Sequence, residues 1–392
     1  MRKLMLVIVI LGFLLPPTPI IAHSSEISLH NESYILVGGQ NGTWFQHGQQ
    51  PKLYQIFLSN YSMTQLTPVS SEGTVWTGGW NGSQWFISGW GTDPGPKGSN
   101  PYLYLYDGKT QAVAESLDQY ESESSWHGGD VFAASYNGKE WLLTGMGSDI
   151  LPSLLQPANH LAMATFNGTV FTDLSMLVPE QQDGILYANA WNGKYWLVGG
   201  GYQYRTVLFT FDGNRTVDLT SQIADAVTKL ASVQAIAWNG KYWLIGGVGF
   251  LAEYDGENFV DLTSELNAAL HVSSDESLVV NAIAWNGSSW MIGGGTPVAQ
   301  LTPDRTWIAS YGSDGFVDLS SMLPPYITQP NFANSSILTI GYADNSWIFG
   351  GYSNNHAILL SYRNGSMADI SDLVRTTMSY VIWLGAGNTQ LP

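Results

Sequence analysis

The chain has 392 residues, no cysteine and a formal net charge of −17, from 14 Lys and Arg against 31 Asp and Glu. So few basic residues exclude a nucleic-acid partner, because phosphate binding needs clusters of Lys and Arg. The lack of cysteine excludes disulfides, thiolate metal sites, lipid attachment at an N-terminal cysteine and a cysteine-linked radical cofactor. Packing alone must stabilise the fold.

Residues 1–22 are predicted to be a signal peptide. Arg2 and Lys3 precede an apolar run over residues 4–15, three prolines follow, and Ala22 offers a small residue for cleavage. The run is shorter than the ~20 residues that span a bilayer. A cleaved signal is therefore favoured over an uncleaved N-terminal anchor, which would be the chain's one attachment to a membrane. Both interpretations predict a secreted or cell-surface protein.

The surface is predicted to be poor in ionisable groups, since Asp, Glu, Lys and Arg make up only 11% of residues against ~25% in an average domain. Such a surface changes little as the pH falls, so we hypothesise exposure to an acidic medium. A Ser-, Thr-, Asn- and Gly-rich extracellular surface explains the composition equally well.

Asn-X-Ser/Thr sequons predict a glycoprotein with exposed, modified loops. They occur at Asn31, Asn41, Asn60, Asn81, Asn167, Asn214, Asn286, Asn334 and Asn364. Several of them are Asn-Gly turns that happen to precede Ser or Thr, so chance remains an alternative.

One phrase returns along the chain, most clearly as WNGKYWLIGG at residues 238–247. Copies lie at 80–89, 136–145, 191–200, 285–294 and 342–351, and a degenerate one at 31–39. A period of roughly 50 residues is typical of a propeller or a solenoid.

Each repeat predicts four short strands. In the clearest copy they are residues 233–238, 241–245, 250–254 and 258–262, with Asn-Gly and Asp-Gly turns that favour tight hairpins. A helix follows, for which Thr263 or Ser264 is the predicted N-cap and Glu265 lies in the first turn.

Seven such second strands predict an all-β, seven-bladed β-propeller of four-stranded antiparallel blades, forming one domain over residues 29–388. The first blade lacks its first strand, whereas residues 379–383 look like a first strand without a blade. We therefore predict that the C-terminal strand pairs with the first blade and closes the ring, which removes an open sheet edge. An open solenoid is the alternative, but it needs capping repeats.

Residues that recur in every blade are interpreted as structural. Trp196, Trp243, Trp290 and Trp347 are predicted to pack between blades, because repetition is not how a single ligand site is built. The Asp of each fourth strand is predicted to form local hydrogen bonds. These aspartates are Asp173, Asp218, Asp261, Asp318 and Asp369.

The repeat resembles the kelch repeat in its Asn-Gly-Lys-aromatic phrase, in the Gly246-Gly247 doublet and in Tyr254 of the third strand. It departs from kelch where Phe259, Val217 or Phe171 replaces the Trp of the fourth strand. The resemblance implies a propeller related to the galactose oxidase and kelch type. It does not imply galactose-oxidase chemistry, which needs a cysteine.

A functional site is predicted on the face that carries the long loops, near the channel. Links 90–101, 147–160 and 294–305 within repeats and links 117–129, 180–184 and 323–335 between repeats all emerge there. Candidate binding residues, assigned to this face, are His47, His127, Asp130, His160, His271 and His356. No metal-ligand spacing is present, and we predict no metal and no cofactor.

The enzyme classes that have sequence signatures find little support. Sialidase boxes, a Gly-x-Ser-x-Gly elbow, a phosphate loop and a calcium ladder are all absent. The preferred hypothesis is a monomeric extracellular binding module for a glycan, a surface protein or an envelope component. The alternatives are a secreted carbohydrate-active enzyme and a structural surface protein without a small ligand.

Overall fold

The computed structural model describes residues 33–42, 48–66, 72–92, 99–108, 111–113, 126, 129–149, 158–179, 183–202, 205–228, 230–273, 277–295, 305–328 and 335–385. These ranges hold 28 strands in seven four-stranded antiparallel sheets. The innermost strands contact one another in a ring, so the chain is a seven-bladed β-propeller, as predicted. No helix in these ranges is long and apolar enough to cross a bilayer.

The blades follow the chain, and within each blade the strands run from the axis to the rim. Blade 1 holds β28 (Tyr380–Gly385), β1 (Tyr34–Asn41), β2 (Gln50–Phe57) and β3 (Met63–Gln65). Blade 2 holds β4 (Gly73–Trp80), β5 (Trp85–Thr92), β6 (Ser99–Tyr106) and β7 (Gln111–Val113). Blade 3 holds β8 (Asp130–Tyr136), β9 (Trp141–Asp149), β10 (Ala158–Phe166) and β11 (Phe171–Asp173).

The remaining blades repeat this plan. Blade 4 holds β12 (Ile185–Trp191), β13 (Trp196–Tyr202), β14 (Arg205–Phe211) and β15 (Thr216–Asp218). Blade 5 holds β16 (Val233–Trp238), β17 (Trp243–Gly247), β18 (Phe250–Tyr254) and β19 (Phe259–Asp261). Blade 6 holds β20 (Val279–Trp285), β21 (Trp290–Gly295), β22 (Trp307–Gly312) and β23 (Gly315–Asp318). Blade 7 holds β24 (Ser335–Ala343), β25 (Ser346–Ser353), β26 (His356–Arg363) and β27 (Ser366–Asp369).

The predicted ring closure is confirmed. Strand β28 pairs antiparallel with β1, with Leu36 opposite Gly385 and Gln40 opposite Tyr380. The C-terminal strand thus becomes the innermost strand of the first blade and pairs with the edge of β1 that would otherwise be open.

Short helical segments follow the fourth strands, as predicted. They are α1 (Thr220–Ala226), α2 (Thr263–Ala269) and α3 (Pro325–Thr328), with single 3-10 turns at Ser175–Leu177, Ser320–Met322 and Ser371–Leu373. The predicted cap of α2 was wrong, because its N-cap is Leu262. The Thr263 hydroxyl instead accepts from Leu251 N at 3.1 Å and donates to Leu251 O at 3.4 Å. Because this hydroxyl is bonded to the third strand, it does not cap the helix.

The recurring Asp of the fourth strand is structural, as predicted. In blade 6, Asp318 Oδ1 accepts from Ser320 N at 2.7 Å, and the Ser320 hydroxyl bridges the backbone N and O of Ile308, each at 3.3 Å. Blades 3, 4, 5 and 7 repeat the Asp contact. In blades 3 to 7 the motif connects the end of the short outer strand to the third strand.

Tryptophans of the second strands form the interior, as predicted. Trp196, Trp243 and Trp290 are 0% exposed and Trp347 is 6% exposed. Contacts reach the preceding blade, as between Tyr195 and Trp243, whose rings lie 5.2 Å apart. These residues hold neighbouring blades together and are buried away from any ligand.

Glycine doublets in the second strands permit a bulge in each innermost strand. Blades 2 and 3 keep only the second glycine of the doublet, after Ser88 and Thr144. A Cβ added to this glycine would lie 1.8–2.2 Å from a backbone oxygen near the start of the innermost strand in all seven blades. For example, Gly294 lies against Val279 O and Gly145 lies against Asp130 O. Beside this glycine the register shifts in every blade, because two residues of the innermost strand lie opposite one residue of the second strand.

Candidate functional site

The two faces of the ring differ in their links, as strand alternation predicts. Links between the first and second strands and between the third and fourth strands are tight turns on one side, here called the tight-turn face. In a typical turn, Asn239 Oδ1 accepts from the backbone N of Lys241 and of Tyr242, both at 2.8 Å. The remaining links lie on the opposite side, here called the long-loop face.

The candidate histidines are only partly accounted for. His47 and His127 lie outside the described residues. His160 is not in a loop, as the sequence suggested, but in β10, where it pairs with Gly147 of β9. The predicted loop 147–160 is thus shorter, because both strands of this hairpin extend into it. Strands β5 and β6 shorten the predicted loop 90–101 in the same way, since they reach Thr92 and Ser99.

His271 and His356 occupy conformationally defined surface positions. His271 follows α2, has φ +54° and is exposed, so it ends the helix in a left-handed conformation. His356 is exposed at the start of β26 and follows a two-residue turn at Asn354 and Asn355, both with positive φ. This hairpin is tight although it lies on the long-loop face.

Histidines 160, 271 and 356 belong to blade 3, the link between blades 5 and 6, and blade 7, so the fold does not gather them. In the part of the chain that the structure describes, no three His, Asp or Glu side chains are close enough to hold a metal ion. A small pocket between β18, α2 and β20 is lined mainly by Phe250, Leu266, Leu278 and Asn267 and contains none of the candidates.

A ring of seven side chains at the bulges is the best candidate site. In each innermost strand the bulge residue is partly exposed, whereas the residue before it is at most 3% exposed. Because the innermost strands surround the axis, this exposure opens onto the axial channel. The ring consists of Ile382, Trp76, Phe132, Tyr187, Gln234, Asn281 and Leu338, in blade order.

Three neighbouring members of this ring form an aromatic arc, defined here as Trp76, Phe132 and Tyr187. The Trp76 and Phe132 ring centroids are 5.0 Å apart with planes at 32°, and those of Phe132 and Tyr187 are 5.5 Å apart at 73°. The arc crosses blades 2, 3 and 4. Burial raises the pKa of the Tyr187 phenol, so this hydroxyl stays neutral and available as a donor.

Amide side chains take the next two positions of the ring. Asn281 Nδ2 donates to Ser336 Oγ at 2.9 Å and to Ile337 O at 3.3 Å, which links blades 6 and 7. Gln234 Nε2 donates to Ser232 Oγ at 3.1 Å. All three bonds are donated by an amide nitrogen. The ring thus carries aromatic side chains in blades 2, 3 and 4 and amide side chains in blades 5 and 6.

Asp130 begins the strand that carries Phe132. Burial raises the pKa of the Asp130 carboxyl to about 7. Burial and the neighbouring Tyr104 and Asp130 hold the pKa of Tyr102 well above its usual range. The Asp130 carboxyl therefore titrates near neutral pH at the long-loop end of the channel. The neighbouring Tyr102 phenol stays uncharged.

A buried polar network fixes the start of the strand that carries Trp76. The Thr74 hydroxyl donates to Gln40 Oε1 at 2.5 Å and lies 3.4 Å from Gln49 Oε1. The Tyr102 hydroxyl donates to Thr74 O at 2.9 Å. Blades 1 and 2 are thus locked together two residues before the aromatic arc begins.

Sequence reasoning identified Asp130 but missed the aromatic arc. Tryptophans were interpreted as repeat residues, and Trp76, Phe132 and Tyr187 share a position that varies from blade to blade. Aligning the seven repeats and asking which innermost-strand position is least repeated would have indicated them.

Comparisons with solved structures support the fold. The β-propeller domain of the Trilobed protease from Pyrococcus furiosus, described as having an open velcro topology, is 8% identical with a TM-score of 0.50, and the match covers 87% of this chain and 92% of that one. A putative 6-phosphogluconolactonase from Bacteroides uniformis is 9% identical with a TM-score of 0.50, over 90% and 98% of the two chains.

A third similar structure is the acylaminoacyl peptidase from Pyrococcus horikoshii, 9% identical with a TM-score of 0.51. The match covers 87% of this chain and 51% of that one, so the chain spans about half of the peptidase. No family profile matches the chain, and no curated protein matches it. These neighbours are other propeller types than kelch, and at such low identity they establish the fold alone.

Proposed function

We propose that this chain is an extracellular binding module that takes its ligand at the long-loop end of the axial channel, on the aromatic arc. The observation that carries the proposal is the break in sevenfold repetition at the bulge ring. Positions that only hold blades together repeat, as Trp196, Trp243 and Trp290 do. The bulge position instead differs in every blade and is partly exposed in every blade.

A neutral glycan fits the chemistry of this ring. Aromatic faces pack against the C–H faces of a sugar, and a few polar groups then fix its orientation. Trp76, Phe132 and Tyr187 supply the faces, and the amide oxygens of Gln234 and Asn281 accept from hydroxyls. The Asp130 carboxyl, two residues before Phe132, accepts from a hydroxyl when ionised and donates to one when protonated.

The proposal includes a secreted or cell-surface location, which the basic and apolar residues at the N-terminus support. It also includes a divergent kelch-type origin for the repeat, supported by the Asn-Gly-Lys-aromatic phrase and the glycine doublets. Other propellers also use glycine where blades approach closely, so the fold alone does not carry this part.

A secreted carbohydrate-active enzyme is the competing function, and Asp130 is the observation that favours it. A raised pKa in a channel suits a general acid. Glycoside hydrolysis uses two carboxyl groups facing one bond, and in the described ranges Asp130 has no carboxylate partner on the bulge ring. Binding is therefore preferred.

The test is a glycan array on the full secreted protein at about pH 3 and about pH 7, which also addresses the acid-exposure hypothesis. Each glycan bound is then titrated against Trp76→Leu and Phe132→Leu. We expect each variant to weaken binding about tenfold, which corresponds to ~1.4 kcal/mol. Val260→Ala, at an exposed position of the outermost strand of blade 5, is the control and should bind like the wild type.

Glycan binding that survives both aromatic substitutions would place the ligand elsewhere and refute the channel site. Hydrolysis of a bound glycan that is lost in Asp130→Asn would favour the enzyme. A protein that binds no glycan at either pH would leave a protein partner or a structural surface role as the remaining explanations.

A further inference from the structure

Glycosylation sequons are not spread evenly over the two faces. Seven of the nine lie in the described ranges, and six of these seven fall on the tight-turn face. Two of the six lie between first and second strands and four between third and fourth strands: Asn81 and Asn286, then Asn60, Asn167, Asn214 and Asn364. The seventh, Asn41, ends β1 on the long-loop face. Asn31 and Asn334 lie outside the described residues.

An Asn-Gly turn accounts for four of the six positions, but not for Asn60 and Asn214. In the β14–β15 turn, Asp212 Oδ1 accepts from the backbone N of Asn214 and Arg215, at 2.9 and 3.0 Å. Asn214 is therefore not needed to form the turn. Asn60 is followed by Tyr61 rather than by Gly, and Tyr61 has φ +53°. At both positions the sequon exists without the Asn-Gly pair that a tight hairpin favours.

In the Asn-Gly turns the asparagine side chain forms the turn through its oxygen and not through its nitrogen. Asn81 Oδ1 accepts from Ser83 N at 2.9 Å, from Gln84 N at 2.8 Å and from the Ser83 hydroxyl at 3.0 Å. Asn167 and Asn286 make the same three bonds. The carbonyl branch of each amide forms the turn, so these turn bonds do not use the Nδ2 branch, which carries the sugar in an N-linked glycan.

Exposed apolar side chains lie beside three of these sequons. Tyr61, Val170 and Val217 are 39%, 48% and 51% exposed. They follow Asn60, Asn167 and Asn214 by one, three and three residues. They are three of the eight large hydrophobic side chains exposed in the described ranges. A glycan attached at the neighbouring asparagine is placed to cover each of them.

We propose that the tight-turn face carries N-linked glycans at Asn60, Asn81, Asn167, Asn214, Asn286 and Asn364, while the mouth of the channel on the opposite face stays bare. Glycans supply hydration to a surface that has few ionisable groups. They also prevent protein contacts through the tight-turn face, so a partner of this protein approaches the long-loop face. This inference concerns modification and stands whether or not the channel binds a glycan.

The chain offers matched controls within its own turns. Asn137 Oδ1 accepts from Lys139 N and Glu140 N, both at 2.8 Å, in the same geometry as Asn81. Lys at the third position leaves this turn without a sequon. Lys139→Ser therefore creates an acceptor in an unchanged turn, and Ser83→Ala or Thr169→Val removes an acceptor while the asparagine that forms the turn is kept.

The experiment is glycopeptide mass spectrometry on the protein purified from its native cells, followed by the same variants produced there. We expect glycan mass on the six peptides, loss of one glycan in Ser83→Ala and in Thr169→Val, and gain of one in Lys139→Ser. Unmodified asparagines at all six positions, or a glycan on Asn41 alone, would overturn the proposal. Circular dichroism of each variant separates loss of an acceptor from loss of folding.

Discussion

Trp383 on the closing strand occupies the space that a side chain at Gly78 would need. A Cβ added to Gly78 would lie 2.5 Å from Cζ2 of Trp383 and 2.5 Å from the backbone oxygen of Phe86. Trp383 also meets Trp85 edge-on, with centroids 5.9 Å apart. The largest side chain of the closing strand thus packs against a residue with no side chain on the neighbouring innermost strand, β4, which fits the closing strand to blade 2.

This complementarity predicts that Gly78→Ala destabilises the ring by about 1–3 kcal/mol, the usual cost of overpacking. Part of the cost arises from Trp383 and part from the Phe86 carbonyl. In a Trp383→Leu background the same substitution should therefore cost less, by at least about 0.5 kcal/mol. Denaturant unfolding of the four proteins of this double-mutant cycle measures the difference. Additive effects would show that the two residues do not compete for space.

Deleting residues 379–392 is expected to destabilise the whole propeller. The deletion removes the ladder between β28 and β1 and the buried side chains of Val381 and Trp383. Truncation of one buried Trp alone costs about 3–5 kcal/mol. Thermal unfolding should show one transition at a lower temperature. The control deletes only residues 386–392 and keeps β28. Equal melting temperatures of the longer deletion and the full chain would contradict closure.

The glycine doublets predict a strongly position-dependent effect of alanine. In Gly294→Ala the new Cβ would lie 1.8 Å from Val279 O and 3.2 Å from the Trp307 side chain. The bulge in β20 must then shift, and we expect a loss of more than about 3 kcal/mol or failure to fold. Gly312→Ala in the same blade meets only Ser289 Cβ at 3.9 Å and should change stability by less than about 1 kcal/mol. Equal stability of the two variants would refute this account of the doublet.

The raised pKa of Asp130 predicts that the folded protein is more stable in acid than at neutral pH. The carboxyl titrates near pH 3.9 when unfolded, but burial raises its pKa to about 7 in the folded chain. Between these values the folded state holds a proton that the unfolded state releases. The stabilisation is therefore complete below about pH 4 and is lost as the pH rises through about 7. The effect should be about 1–4 kcal/mol across this window, since one pKa unit is about 1.4 kcal/mol.

Urea unfolding at about pH 4 and about pH 8 checks this sign. Asp130→Asn should flatten the pH dependence and be more stable than the wild type only at the higher pH. Asp225→Asn, on the exposed side of α1, is the control for the loss of one surface carboxyl. A wild-type protein whose stability rises between these pH values, or an Asp130→Asn variant with an unaltered profile, would contradict the prediction.

Local patterns in the sequence predicted much of the blade. The predicted strands 233–238 and 250–254 match β16 and β18 at both ends, because Asn-Gly and Asp-Gly turns stop them. The second strand of the same blade was predicted to end before Gly246, yet β17 runs from Trp243 to Gly247. Glycine is a poor strand former by local preference. Here Gly247 belongs to the strand because it pairs with Val233 on one side and with Phe250 on the other.

The candidate site was predicted less well, for a physical reason. The histidines were chosen as candidates because of their predicted loop positions. In the structure His160 lies in β10, paired with β9, and His271 lies at the end of α2. Asp130 was identified from its loop, without any indication that its carboxyl is buried. Asp130 interacts electrostatically with Tyr102 of the neighbouring blade, and no local sequence pattern predicts that the two residues lie close together.

The sequence by itself determined the period, the tight turns, the number of blades and the closing strand. All of these follow from hydrogen bonding between neighbouring segments and from a count of strands. Only the tertiary structure decided that Trp76, Phe132 and Tyr187 meet, that Trp383 fits over Gly78 and that the described sequons gather on one face. Those relationships join residues far apart in the chain, and they arise when the twisted sheets close into a ring and bring their innermost strands together.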